Sequence, residues 1–261
     1  MTQTTGTGAA WIRRFHPSDD APVRLVCFPH AGGSASFYFP VSRTLAPSVD
    51  VLAVQYPGRQ DRRLEPSVSD MNELADLVAE QLRPWTDKPL ALFGHSMGAM
   101  LAFEVARRLE SDGVRPLVLF ASGRRAPMRR RGNENVHVRD DEQLIEELKT
   151  LSGTDSQILG DPEVLHMILP AIRSDYRAVE TYRYQPGPPL ATPIVALTGD
   201  SDAQVTLDEA EDWAQVTSGG FQLKVYEGGH FYLNAQAAAV IAEIRSHLRA
   251  PSLTGSAAAD R

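Results

Sequence analysis

Gly94, His95, Ser96, Met97 and Gly98 set a serine between two glycines, after the apolar run Pro89–Phe93 (PLALF) and before Ala99–Leu109 (AMLAFEVARRL), a run of helix formers. A chain that reverses from strand to helix in so few residues holds the serine in a strained backbone conformation, and only small neighbours let the adjoining segments approach. Gly94 and Gly98 supply that room, which makes Ser96 the candidate nucleophile. A serine hydroxyl is weak at neutral pH and needs a base within hydrogen-bond reach and an anion to orient that base. Gly199, Asp200, Ser201 and Asp202 follow the apolar run Ile194–Thr198, and Gly228, Gly229 and His230 follow Phe221–Tyr226. Both groups therefore fall at the carboxyl ends of strands, where sites of open α/β sheets gather. His230 is the expected base. His16 in the N-terminal segment, His137 and His166 in a long insertion and His247 on the closing helix fit worse. Asp200 and Asp202 share one turn, and spacing does not separate them. We assign the orienting role to Asp202 and expect Asp200 to bond the backbone of its own turn, as short acids in turns commonly do.

Acyl transfer to water passes through an oxyanion that needs two backbone N–H donors. One is expected from Met97, directly after the serine. The other is expected from Ala31, in the Gly-rich loop Pro29–Gly33 after the first strand. Cys27 with His30 would be an alternative nucleophile pair, but Cys27 stands inside an apolar strand, where a thiol behaves as a small core residue. No two histidines occur at metal-ligand spacing, so no metal and no cofactor are expected.

These residues need a scaffold that brings distant loops to one edge. Apolar runs of strand length at Val23–Phe28, Val51–Gln55, Leu90–Phe93, Leu117–Ala121, Ile194–Thr198 and Phe221–Tyr226 alternate with helical patterns. That alternation predicts an α/β fold, a mostly parallel sheet with helices on both faces. Asp70 and Glu73 read as a helix start, after which Met71, Leu74, Leu77, Val78 and Leu82 recur at helical spacing; Ala238, Ile241, Ile244 and Leu248 form the closing helix. The connection from Ser122 to Pro193 far exceeds the usual few residues and must hold its own structure. Leu144, Ile145, Leu148 and Leu151 form one helical stripe there. Asp161 and Pro162 begin a second helix, carrying Leu165, Ile168, Leu169 and Ile172. We expect a single domain over residues 1–250 with a helical lid inserted at about 123–188, its apolar undersides lining a channel for an oily substrate; a purely structural subdomain is the alternative. Residues 251–261, of low complexity, are expected to be a flexible tail.

The 261 residues are 43% hydrophobic, with a formal net charge of -7 and one cysteine. The charge argues against a nucleic-acid partner, the lone cysteine against a disulfide framework, and the polar, Thr-rich start against a signal peptide. No apolar run approaches the roughly 20 residues that cross a bilayer, so no membrane association and a cytoplasmic location are expected.

Taken in order, Phe28–Gly33 (FPHAGG), Tyr56–Arg62 (YPGRQDR), the GHSMG elbow, Ser122–Pro127 (SGRRAP), Asp175–Tyr184 (DYRAVETYRY), Gly199–Asp202 and Gly229–Leu233 (GHFYL) resemble the type II thioesterases, the separate editing hydrolases of polyketide synthases and non-ribosomal peptide synthetases. The likeness spans roughly Val23 to Leu248. It implies an α/β-hydrolase fold with a helical lid, a Ser96, Asp202, His230 triad, and an oxyanion hole from Met97 and Ala31. It also implies the substrate, an acyl group in thioester linkage to the phosphopantetheine arm of an acyl or peptidyl carrier protein. Carrier proteins of this kind are acidic, as the resemblance suggests, whereas this chain is itself acidic, so docking needs a local basic patch. Arg124, Arg125, Arg129, Arg130 and Arg131 are the candidates, with Arg59, Arg62 and Arg63 in another loop; a solvated charge run, or an internal anchor for Arg124 and Arg125, is the alternative. A carboxylesterase or lipase of the same fold, and a catalytically silent binding module, are the competing functions.

Overall fold

The computed structural model describes residues 8–132, 135–151 and 161–248; the tail expected at 251–261 lies outside them. Seven strands form one sheet among the described residues: β1 (Ile12–Arg13), β2 (Arg24–Phe28), β3 (Asp50–Val54), β4 (Leu90–His95), β5 (Leu119–Ser122), β6 (Ile194–Gly199) and β7 (Phe221–Tyr226). Their spatial order is β1-β3-β2-β4-β5-β6-β7. Every neighbouring pair is parallel except β1 with β3. The central strands are buried along their whole length, as strands covered on both faces must be.

Helices in chain order are α1 (Gly8–Trp11), α2 (Phe39–Leu45), α3 (Met71–Leu82), α4 (Met97–Ser111), α5 (Asp141–Leu151), α6 (Pro162–Thr181), α7 (Leu207–Glu211), α8 (Tyr232–Ala235) and α9 (Ala237–Leu248). One face of the sheet packs against α3 and α4 through Val26, Leu92 and Leu101 among others, the opposite face against α2 and α9 through Leu25, Phe93 and Ile244. Asp70 starts α3 as expected, its carboxylate accepting from the Asn72 and Glu73 N–H groups at 2.8 and 2.9 Å, two of the donors a helix start leaves unpaired. A short 3-10 turn at Arg83–Trp85 separates that helix from β4.

The long connection holds α5 and α6. Asp161 caps α6 by accepting from the Glu163 and Val164 N–H groups, and Pro162 occupies the first turn, where a missing N–H costs nothing. The apolar stripes behave differently from the expectation. Leu144, Leu148, Leu169, Ile172 and Val136 close on one another as a separate small core, with Ile145, Leu165 and Ile168 packed against it; Leu151 lies outside the described side chains. Apolar surface on two adjacent helices is removed from water most completely by mutual packing, which leaves other faces of the helices toward the sheet.

Candidate active site

Ser96 sits at the turn from β4 into α4 with φ 54° and ψ −117°, a left-handed conformation that costs a non-glycine residue about 1–3 kcal/mol. The surroundings force it. A Cβ on Gly94 would stand 2.0 Å from the Gly98 carbonyl oxygen, and one on Gly98 would stand 2.0 Å from that of Phe28, so both positions need glycine for close approach. The Ser96 N–H donates to the Ser122 carbonyl at 2.8 Å, which ties the turn to the end of β5.

His230 follows β7, and its Nε2 lies 3.1 Å from Ser96 Oγ. Its Nδ1 lies 2.9 and 3.1 Å from the two carboxylate oxygens of Asp202, which follows β6. An ionised carboxylate only accepts, so Nδ1 carries the hydrogen and Nε2 is left to accept from the serine hydroxyl. The three side chains thus form one chain of hydrogen bonds across three strand ends.

The two aspartates divide their work in a way the sequence did not suggest. It is Asp202 whose Oδ1 accepts from its own turn, at the Gln204 N–H (2.8 Å), in addition to holding His230. Asp200 instead reaches across to the neighbouring loop, accepting from the Gly228 N–H at 3.0 Å. With the Ser201 N–H donating to the Gly228 carbonyl at 3.1 Å, this stitches the Asp202 loop to the His230 loop.

His95 packs against the imidazole, and His30 packs against His95 in turn. The His95 ring centroid is 5.0 Å from that of His230, and His30 lies 6.0 Å from His95. Burial, reinforced by the charges of His230 and Arg59, pulls His30 down to about 3, and burial drives His95 well below the usual imidazole range. Both rings therefore stay neutral at physiological pH. His95 Nδ1 is 2.9 Å from Ser122 Oγ, which is 2.7 Å from the Tyr232 hydroxyl. Cys27 is buried and its thiol is pushed up by that burial, which removes the thiolate a Cys27–His30 pair would need.

Ala31, Ser96, Met97 and His230 line one cavity of about 280 Å³. Its other walls carry Arg124, Arg131, Arg139, Glu147, Tyr176 and Glu180. With Val136, Val179 and Val205 also in the wall, the cavity is mixed, several charged side chains standing where the apolar stripes suggested an oily channel. Sequence reasoning missed Tyr176, Val179 and Glu180, although their i, i+3, i+4 spacing on α6 marks one helix face. It also missed how α6 reaches the Pro29–Gly33 loop. Asp175, on α6 and fully buried, takes two hydrogen bonds from Arg59 (2.7 and 2.8 Å) and a third from the Gly32 N–H (2.8 Å), while Arg59 also donates to the Gly33 carbonyl. The loop carrying Ala31 is thereby clamped to the inserted helix. Asp175→Asn is expected to cost about 3–5 kcal/mol, because it strips a buried guanidinium of its counter-charge; chemical denaturation of the variant against the parent measures it. A loss below about 1 kcal/mol would show that the clamp contributes little.

The arginines expected on a docking face are mostly occupied elsewhere. Arg125 is buried and donates to the Arg129 and Gln204 carbonyls, and Arg124 faces the cavity. Arg125 turns inward because those backbone carbonyls need donors. Arg131 forms a two-point pair with Glu209 of α7 (2.7 and 3.2 Å), and Arg129 pairs with Asp212. Arg130 is exposed. In the second loop Arg59 and Arg62 are buried and paired, Arg62 with Glu65, and Arg63 is exposed. Among the described residues no cluster of His, Cys, Asp and Glu could hold a metal ion, and no helix is long and apolar enough to cross a membrane.

A family model described as a thioesterase domain matches residues 23–248. The chain is 53% identical over 248 residues to a probable cadicidin biosynthesis thioesterase of Streptomyces griseus, a match that spans 95% of this chain and 68% of that protein. It is 52% identical to thioesterase PikA5 of Streptomyces venezuelae, over 91% and 85% of the two chains. The solved structure of the type II thioesterase BorB from the borrelidin biosynthetic cluster superposes with a TM-score of 0.88 at 54% identity, covering 92% of this chain and 98% of that one.

Proposed function

The chain belongs to the thioesterase family as a type II thioesterase of polyketide and non-ribosomal peptide biosynthesis, and from that premise we propose that it releases misprimed or stalled acyl groups from the phosphopantetheine arm of acyl or peptidyl carrier proteins. Ser96 is the nucleophile, His230 the base and Asp202 its orienting anion. The hydrogen-bonded series Ser96, His230, Asp202 is the observation that carries this reading.

In the proposed reaction Ser96 Oγ attacks the thioester carbonyl while His230 Nε2 takes its proton. The imidazolium formed is stabilised by Asp202, and the oxyanion accepts from the Met97 and Ala31 N–H groups. Collapse breaks the C–S bond, and the departing thiolate takes the proton from the His230 imidazolium, leaving the imidazole neutral. The leaving thiol has a pKa of about 8.5, so its departure needs less proton donation than that of an alcohol. Water then attacks the acyl-serine with His230 again as base, releasing the free acid and restoring Ser96.

The helices α5 and α6 act as the lid in this reading, supported by their residues in the cavity wall. The exposed Arg130, with the partly exposed Arg129 beside it, is proposed to meet the acidic carrier. A cytoplasmic setting belongs to the same proposal, in keeping with a single, buried, reduced thiol.

One acyl chain presented three ways tests the assignment: on a carrier protein, on a small thiol, and as an oxygen ester. Hydrolysis is expected to be fastest from the carrier and slowest from the ester, by at least tenfold at each end. An ester cleaved as fast as the carrier thioester would instead make the protein a carboxylesterase.

A further inference from the structure

Every charged side chain in the cavity wall but one has a partner. Glu180 accepts from the Val136 N–H (2.8 Å), the His137 N–H (3.0 Å) and His137 Nδ1 (2.5 Å). Glu147 pairs with Arg139 at 3.1 Å, and Arg131 is held on two points by Glu209. Arg124 is the exception. Its backbone carbonyl accepts from Trp213 Nε1 at 2.7 Å, which fixes the main chain, yet its guanidinium makes no hydrogen bond or ion pair among the described residues, and its Nε is buried without an acceptor.

Arg124 also stands beside the reacting groups. It follows Ser122, whose carbonyl holds the Ser96 N–H, and Gly123, where a Cβ would lie 3.5 Å from His230 Cε1. Arg124 as a whole is half-buried, but its Nε is shielded from water without an acceptor, a cost that a ligand supplying an acceptor to the guanidinium removes. Burial lowers its pKa to about 10, opposed by the nearby Glu180 charge and assisted to a lesser degree by Arg131, so it remains a cation at neutral pH. The volume of about 280 Å³ is that of roughly nine waters of the liquid, which suits a short acyl group.

Resting on the thioesterase reading above, we propose that Arg124 is a specificity-determining residue that donates to an oxygen carried by the acyl chain, so that the cavity selects short oxygen-bearing acyl groups over plain alkyl chains of equal length. The acceptor is a hydroxyl, a carbonyl or a carboxylate near the thioester. A chain lacking it leaves the guanidinium unpaired in the complex.

Arg124→Met and Arg124→Lys, assayed with butyryl, 3-hydroxybutyryl, 3-oxobutyryl and malonyl thioesters of N-acetylcysteamine, test this. The wild type is expected to favour at least one oxygen-bearing substrate over butyryl in kcat/KM, and Arg124→Met to reduce that ratio at least tenfold, with Arg124→Lys restoring part of it. The substrate losing most identifies the acceptor, carboxylate if malonyl, neutral oxygen if either of the others. An unchanged ratio, or equal losses on all four, overturns the proposal. So does a fall of several degrees in the melting temperature of Arg124→Met, since an uncompensated cation should stabilise nothing. If the wild type cleaves no thioester the functional reading fails and takes this one with it, whereas cleavage of butyryl with an insensitive ratio sinks this inference alone.

Discussion

Ser96→Ala is expected to lower kcat for thioester hydrolysis by about 10⁴-fold or more while leaving the melting temperature within a degree or two of the parent. The two halves follow from different bonds. Chemistry is lost because no other side chain of the Ser96, His230, Asp202 series can form an acyl ester, and the residual oxyanion donors act only on a nucleophile that is gone. The fold is kept because among the described residues the side chain bonds only His230, whereas the turn is held by backbone, the Ser96 N–H on the Ser122 carbonyl and the Ala99 N–H on the Ser96 carbonyl. Alanine adopts φ 54° no more easily than serine, so the stored strain is unchanged. A variant that hydrolyses at a tenth of the parental rate would mean that water is activated without an acyl-serine.

Asp202→Asn carries the next largest effect, a loss of about 10³–10⁴ in kcat. The amide can still accept from the Gln204 N–H, so the turn survives. It no longer supplies a charge, and presenting its NH₂ to Nδ1 reverses the tautomer, leaving Nε2 protonated and unable to take the serine proton. Asp200→Asn is the internal control. Asp200 touches only the Gly228 N–H among the contacts that define the site, and an amide oxygen replaces that acceptor, so its kcat is expected to change less than tenfold. Parallel kcat values for the two variants decide which carboxylate orients the base; equal losses would return the choice to a tie.

Much of this arrangement could be read from the chain because its signals are local. Central strands of a parallel sheet are buried on both faces, so β2 to β6 appear as mostly apolar runs, and the loops carrying Ala31, Ser96 and Asp202 each follow one of them directly, while the His230 loop follows the less buried edge strand β7. Strand β1 was invisible for the opposite reason: two residues, Ile12 and Arg13, pairing antiparallel at an edge, carry no period to detect. The mixed cavity was illegible because helical stripes show which face of a helix is apolar and not what that face meets. Leu144, Leu148, Leu169 and Ile172 meet each other, and a mixed face carrying Arg139, Glu147, Tyr176, Val179 and Glu180 is left to line the site. The clamp between Arg59 and Asp175 joins residues 116 apart in sequence, and no local pattern announces such a pair. Arg124 and Arg125 read either as part of a surface run or as internal anchors, and local sequence does not choose; Arg125 proves internal only when Gln204 arrives beside it, and the Arg124 main chain is fixed by Trp213.

The most direct test is the mass of the protein during turnover. Rapid acid quenching of the enzyme mixed with a slowly hydrolysed acyl thioester, followed by intact and peptide mass spectrometry, should show one added acyl group, confined to the peptide containing Ser96 and absent from Ser96→Ala. Turnover at full rate with no acylated protein at any time, or an acyl group on another residue, would contradict the account.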